Sequence, residues 1–204
     1  MALLVLGTGN RKKGIELASL VALLGLEVKT LADFPEAIEV VEDGATFAEN
    51  ARLKATQQAI HLGRWVLADD SGLAVDTLNG APGVFSARYS DPGATDARNN
   101  AKLLQELEGI PVERRTARFV CHVALADPTG KLRTESQADC RGRIIPDLRG
   151  GQGFGYDPLF EIVEYHRTFG ELGLTVKAFL SHRARAMRQI LPELQRLIDT
   201  GEWE

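Results

Sequence analysis

The chain is poor in cysteine. Cys121 and Cys140 are the only two in 204 residues, and their separation matches no metal-binding pattern. No window approaches the ~18 to 20 apolar residues of a membrane span, so no membrane partner is expected. A charged N-terminal stretch followed by an apolar run and a cleavage site is also missing, and a cytoplasmic location is expected. Positive charge is not in excess. The formal net charge is −4, which argues against a general nucleic-acid binder. Neither the P-loop spacing GxxxxGK[ST] nor GxGxxG is present. No Ser/His/Asp or Cys/His nucleophile is evident, so direct attack of water is preferred over a covalent intermediate. With no linker, low-complexity tract or repeat, a single domain over 1–204 is expected, in two lobes without a separate linker.

What is present is a hydrophobic content of 44%, ample for a core. Strands and helices alternate at first. A strand Ala2–Leu6 leads to a helix from about Lys12 to Leu24, then a short strand Glu27–Leu31. A helix from Thr46 to about Leu62 precedes a strand Trp65–Ala68 that ends at Asp69-Asp70-Ser71-Gly72. Thr95 to Glu108 reads as a helix closed by Gly109. The pattern then becomes antiparallel: a strand Thr116–Ala126, with Cys121 as a small core residue, a turn at Asp127-Pro128-Thr129-Gly130, and a strand Leu132–Arg141. A last helix runs from the N-cap Ser181 to Thr200, and Pro192 should kink or split it. The expectation is an α/β fold, elongated and two-lobed, with a mixed β-sheet and a central substrate cleft.

The densest chemical signal lies near the start. The apolar run Leu3–Leu6 passes into Gly7-Thr8-Gly9-Asn10-Arg11-Lys12-Lys13 and then a helix. A Gly-rich turn at a helix N-terminus offers backbone N–H groups and a positive dipole end, which suit phosphate; the alternative is an ordinary βα turn, where Gly and Asn are common for backbone reasons. Lys12 and Lys13 add charge, and Thr8 and Asn10 add short side chains that cap a helix or hold an anion. Thr46 and Glu49 form a capping box, which explains Glu49 without function. Lys54 follows Phe47 by seven residues and so lies within about 20° of it around a helix. It therefore points inward with the apolar face, where a lysine needs a carboxylate or a ligand phosphate.

Asp69 and Asp70 end the strand where open α/β sheets place ligands. If the strand continues through them, their side chains face opposite sides and cannot share one role. Glu39, Glu42 and Asp43 form an acidic segment, of which one joins an aspartate around Mg²⁺ in a functional reading; the alternative is a solvated loop. Gly150-Gly151-Gln152-Gly153-Phe154-Gly155-Tyr156-Asp157-Pro158 combines four glycines with two aromatics, suited to close backbone approach and base stacking. Lys177, Ser181, His182 and Arg183 place donors at and just before a helix N-terminus, where positive charge is unfavourable unless it meets an anion or ligand.

Six segments in this order resemble the inosine triphosphate pyrophosphatase family: Thr8-Gly9-Asn10 with Lys13; Thr46-Phe47 with Glu49-Asn50-Ala51 and Lys54; Ala68-Asp69-Asp70-Ser71-Gly72; Gly80-Ala81-Pro82-Gly83 with Ser86-Ala87-Arg88-Tyr89; Gly153-Phe154-Gly155-Tyr156-Asp157-Pro158; and Ser181-His182-Arg183. The resemblance implies Mg²⁺-dependent hydrolysis of a purine nucleoside triphosphate (ITP, dITP or XTP) to the monophosphate and pyrophosphate by a homodimer. It implies that Thr8, Gly9, Asn10, Arg11, Lys12 and Lys13 hold the triphosphate, and that Lys54 and Lys177 neutralise it. Glu42 and Asp70 would bind the metal, with Asp70 also the base. Ser71, Phe154, Gly155, Tyr156, Asp157, Lys177, His182 and Arg183 would form the nucleotide site, the last two meeting the 6-oxo group of the base. Two segments depart from the family pattern: Thr175-Val176 before Lys177, and the lead-in Arg149-Gly150-Gly151-Gln152. A nucleotide sensor without turnover would have no use for an aspartate aimed at the α-phosphate. An enzyme for modified pyrimidines would have none for donors facing a 6-oxo purine.

Overall fold

A computed structural model describes residues 2–203. Its strands are β1 Leu3–Leu6, β2 Glu27–Thr30, β3 Trp65–Val75, β4 Thr116–Ala126, β5 Leu132–Ile144, β6 Phe160–Ile162 and β7 Arg167–Thr168. They form one sheet in the order β2-β1-β3-β4-β5-β6-β7. β1 pairs in parallel with β2 and β3, whereas β6 pairs antiparallel with β5 and β7. The helices are α1 Arg11–Val21, α2 Phe47–Leu62, α3 Asp96–Glu106, α4 Phe169–Leu180 and α5 His182–Asp199. This is the expected α/β fold with a mixed sheet. Among the described residues no helix is long and apolar enough to cross a membrane.

By their contacts the residues divide into two units. The first takes the chain up to Asp70, Cys121–Ala138 and the chain from Arg183 on; the second takes Ser71–Val120 and Asp139–His182. In the first unit β1 is buried on both faces, which is why its sequence is a continuous apolar run. Leu4 and Leu6 pack with Leu67, Val123, Met187 and Ile190, while Val5 packs with Val66, Ala68, Ala51 and Ala55. Trp65 stacks on Trp203 with ring centroids 4.4 Å apart. The second unit has its own cluster, in which Phe119 meets Phe160 at 4.6 Å beside Leu73, Leu103, Leu107 and Phe169.

The helix at Thr46 and the strand Thr116–Ala126 form as expected, the former closed by the capping box of Thr46 and Glu49. Two expectations are corrected. The strand at Trp65 does not stop at Ala68 but runs through both aspartates to Val75, because Leu73 and Val75 are buried and both carboxylates are partnered. Pro192 does not split the last helix. It removes one backbone bond, but Met187 and Ile190 before it and Leu194 and Leu197 after it are buried in the same cluster. Lys177 lies just before that helix, as expected, but within a helix of its own. It belongs to α4, a helix that the sequence did not signal and that is interrupted at Gly173 by non-helical dihedrals.

Candidate functional site

The first unit gathers one group of the expected residues. At the N-terminus of α1, Asn10 is the N-cap, its Oδ1 accepting the N–H groups of Lys12 (3.0 Å) and Lys13 (3.2 Å). Thr8 Oγ1 in turn accepts the Asn10 N–H at 3.1 Å. Gly9, Arg11 and Lys12 are exposed there, whereas Lys13 turns in and sets its ammonium 3.5 Å from Asp69.

α2 supplies the centre of this group through a polar stripe. Asn50, Lys54 and Gln58 are spaced by four and so lie on one helix face. They grip the irregular segment that carries the acidic residues. Gln58 donates to the Ile38 C=O, Lys54 Nζ sits 2.9 Å from Glu42, and Asn50 Oδ1 accepts the Gly44 N–H at 2.8 Å. Gly44 must be glycine for this, since a Cβ there would lie 2.6 Å from Asn50 Oδ1. Of the three acids, Glu42 is thereby turned inward while Glu39 and Asp43 stay exposed. Asn50 and Gln58 were not singled out from the sequence. Their spacing of four on either side of an inward lysine was the available signal.

Lys54 Nζ is also 2.9 Å from Asp70 Oδ1, and Asn50 Nδ2 is 3.4 Å from Asp70 Oδ2. Burial pushes the Asp70 carboxyl up from its ordinary range; Lys54 pulls the other way, and the like charge of Glu42 adds to the rise. Glu42 is held below its ordinary range because Lys54 outweighs its burial. Lys54 is raised, its own burial being outweighed by Asp70, Asp69 and Glu42.

As β-strand alternation requires, Asp69 faces the other way. It is fully buried and accepts from Arg183 Nη2 (3.1 Å) and Nε (3.2 Å). The same guanidinium reaches Glu16 of α1 through Nη1. Burial would raise Asp69, but Lys13 and Arg183 hold it far below the usual carboxylate range. The Arg183 side chain, expected at the base, is thus engaged by carboxylates of its own unit. On the other face, Glu42 and Asp70 both pair with the ammonium of Lys54.

The second unit gathers the other group. Asp157 is buried, and its Oδ2 accepts the Phe154 N–H at 2.9 Å and the Lys177 ammonium at 2.6 Å. That ammonium also lies 4.3 Å from the centre of the Phe154 ring. Tyr156 turns inward and donates its hydroxyl to the Ser86 C=O at 2.9 Å. The buried His182 ring stacks on Phe119 with centroids 4.8 Å apart. Ser71 is half-buried on β3, directly after Asp70.

Glu42 and Asp70 fit Mg²⁺ by the chemistry of the donor set. Both present hard carboxylate oxygens to one point, marked by the Lys54 ammonium, and Mg²⁺ is commonly held by one or two carboxylates with substrate phosphates and water completing its shell. Among the described residues no three His, Cys, Asp or Glu side chains form a cage, so that shell would need those outside ligands.

The model of the Ham1 family matches residues 4–193 of the chain. A relative from Rhodopirellula baltica named dITP/XTP pyrophosphatase is 56% identical over 198 residues, covering 97% of this chain and 95% of the relative. One of the same name from Desulforamulus reducens is 49% identical over 194 residues, covering 95% and 96%. The solved structure of a HAM1 protein from Coxiella burnetii matches with a TM-score of 0.87 at 37% identity, covering 96% of this chain and 100% of that one.

Proposed function

The chain belongs to the Ham1 family, and from that premise we propose that it hydrolyses the non-standard purine nucleoside triphosphates ITP, dITP and XTP to the monophosphate and pyrophosphate. The observation that carries this reading is the pair of carboxylates, Glu42 and Asp70, facing the ammonium of Lys54. A polyanion approaching two carboxylates that share an ammonium calls for a divalent cation, so we propose Mg²⁺ held by Glu42 and Asp70. When bound, Mg²⁺ supplies charge neutralisation on the phosphates and a more acidic water.

The chain's own residues then divide the work. The turn from Thr8 to Lys13 holds the triphosphate through the helix terminus and its cations. Lys13 and Lys54 stabilise the negative charge that builds on pyrophosphate as it leaves. Asp70, beside Lys54 and Asn50, takes the proton of the attacking water. In the second unit Phe154 offers an aromatic plane for the base, with Lys177 and Asp157 fixing its place. His182, at the first turn of α5, supplies a donor to the 6-oxo group. Adenine presents an amino donor at that position, and a donor facing a donor is how a site rejects an analogue by as much as about 10⁴-fold.

The test is kcat/KM for ITP, dITP, XTP, ATP, GTP and dUTP, each with Mg²⁺ and with excess chelator. The expected outcome is a strong preference for the first three and no turnover with chelator. Equal rates on ATP, or full activity without divalent cation, would defeat the proposal.

A further inference from the structure

Gly155, between Phe154 and Tyr156, adopts a left-handed conformation with φ 60°. Both polar groups of its backbone are taken by side chains of α3. Asp96 Oδ2 accepts its N–H at 2.9 Å, and Asn100 Nδ2 donates to its C=O at 3.0 Å. The two side chains are four residues apart and so share a helix face. Neither is needed to form α3. Its N-terminus is already capped by Thr95, whose side chain accepts the Arg98 N–H at 3.2 Å, and its packing comes from the buried Leu103 and Leu107. Asn100 is itself only 5% exposed, and its Oδ1 meets no partner among the described residues. A buried amide with one end unsatisfied is unfavourable as a packing element. Its one well-made bond is the bond to Gly155.

A glycine has the widest backbone freedom of any residue, and holding it in one conformation opposes that entropy. The next residues along the loop are those of the base site: the Phe154 N–H is bound to Asp157, which holds Lys177. We propose that Asp96 and Asn100 are positioning residues for base recognition. They clamp the Gly155 peptide from both sides, fix the plane of Phe154 and the carboxylate of Asp157 before substrate arrives, and touch no substrate themselves. This rests on the function proposed for this chain. Pre-organising a loop in its bound conformation raises affinity by removing the ordering penalty at binding.

The experiment compares wild type with Asp96→Ala, Asp96→Asn and Asn100→Leu. It reads kcat and KM for ITP and ATP, amide hydrogen exchange over residues 153–157, and thermal unfolding. Asp96→Asn keeps an acceptor oxygen and loses the charge that a helix N-terminus favours, so it separates the clamp from a dipole effect. The clamp predicts that Asp96→Ala and Asn100→Leu raise KM for ITP about tenfold, the upper end of what one hydrogen bond contributes. Their kcat stays within about twofold, the ITP/ATP ratio of kcat/KM falls, and loop exchange quickens, while Asp96→Asn stays close to wild type in all three. Overturning results are an unchanged ITP/ATP ratio despite faster loop exchange, a loss of kcat shared equally by both nucleotides, or an Asp96→Asn variant as impaired as Asp96→Ala. If Asn100→Leu fails to fold, the two Asp96 variants decide the matter. A wild type with no preference for ITP would refute the proposed function instead, and the exchange data alone would then decide whether α3 holds the loop.

Discussion

Asp70→Asn is expected to lower kcat for ITP by about 10²- to 10⁴-fold, the usual worth of acid–base help, while the protein stays folded. Asparagine keeps the size of the side chain and can still meet Asn50 and Lys54, both within 3.4 Å of the carboxylate. Lys54 retains Glu42 as a charged partner, so no ammonium is left uncompensated. What is lost is the negative charge that would share Mg²⁺ with Glu42 and the oxygen that accepts the proton of water. Asp69→Asn should behave in the opposite sense. Asp69 lies on the other face of β3 against Arg183 and Lys13, so its replacement should lower stability more and kcat less. Steady-state kinetics and denaturant unfolding on both variants check this. The reverse ranking would mean that the chemistry sits on the opposite face of the strand.

The second large effect is expected for Arg183→Ala, and it should appear first in stability. The Arg183 side chain is 1% exposed, with Asp69 fully buried beside it and Glu16 largely so. Removing the guanidinium takes a counter-ion from two carboxylates, and breaking such a buried pair costs about 3 to 5 kcal/mol. Lys13 remains 3.5 Å from Asp69, which favours the lower half of that range. The sequence alone points to a base-reading guanidinium, which would make the ITP/ATP ratio collapse on mutation. With the side chain engaged by carboxylates, the ratio should be largely kept among molecules that remain folded. Urea unfolding together with kcat/KM for both nucleotides at low temperature separates the two. A collapsed ratio at unchanged stability would put the guanidinium on the base.

These two residues also mark the boundary of what the sequence could disclose. The capping box at Thr46 and the alternation over Thr116–Ala126 are local signals, and both elements form where those signals lie. The inward direction of Lys54 was equally local, since it follows from helical spacing relative to Phe47. The strand through Asp69 and Asp70 was not legible. Two adjacent carboxylates argue against a strand interior until their partners are known, and the partner of Asp69 lies 114 residues away. α4 escaped notice because Gly170 and Gly173 break its pattern, and the chain does depart from helical dihedrals at Gly173. The spacing of four places Asn50 and Gln58 on the face of Lys54, and Asp96 and Asn100 on one face of α3, but what each pair grips is an irregular segment that leaves no periodic trace. The family resemblance brought the site residues together by order along the chain. Their division into a carboxylate–lysine group in one unit and an aromatic loop in the other came only from the fold.

The most direct test of the proposed reaction is the fate of solvent oxygen. ITP is hydrolysed with Mg²⁺ in ¹⁸O-water, and the first products are separated and weighed. Attack of water at the α-phosphorus, assisted by Asp70, predicts IMP carrying one ¹⁸O and unlabelled pyrophosphate in equal amounts. Label in pyrophosphate, or orthophosphate and IDP as the initial products, would contradict it.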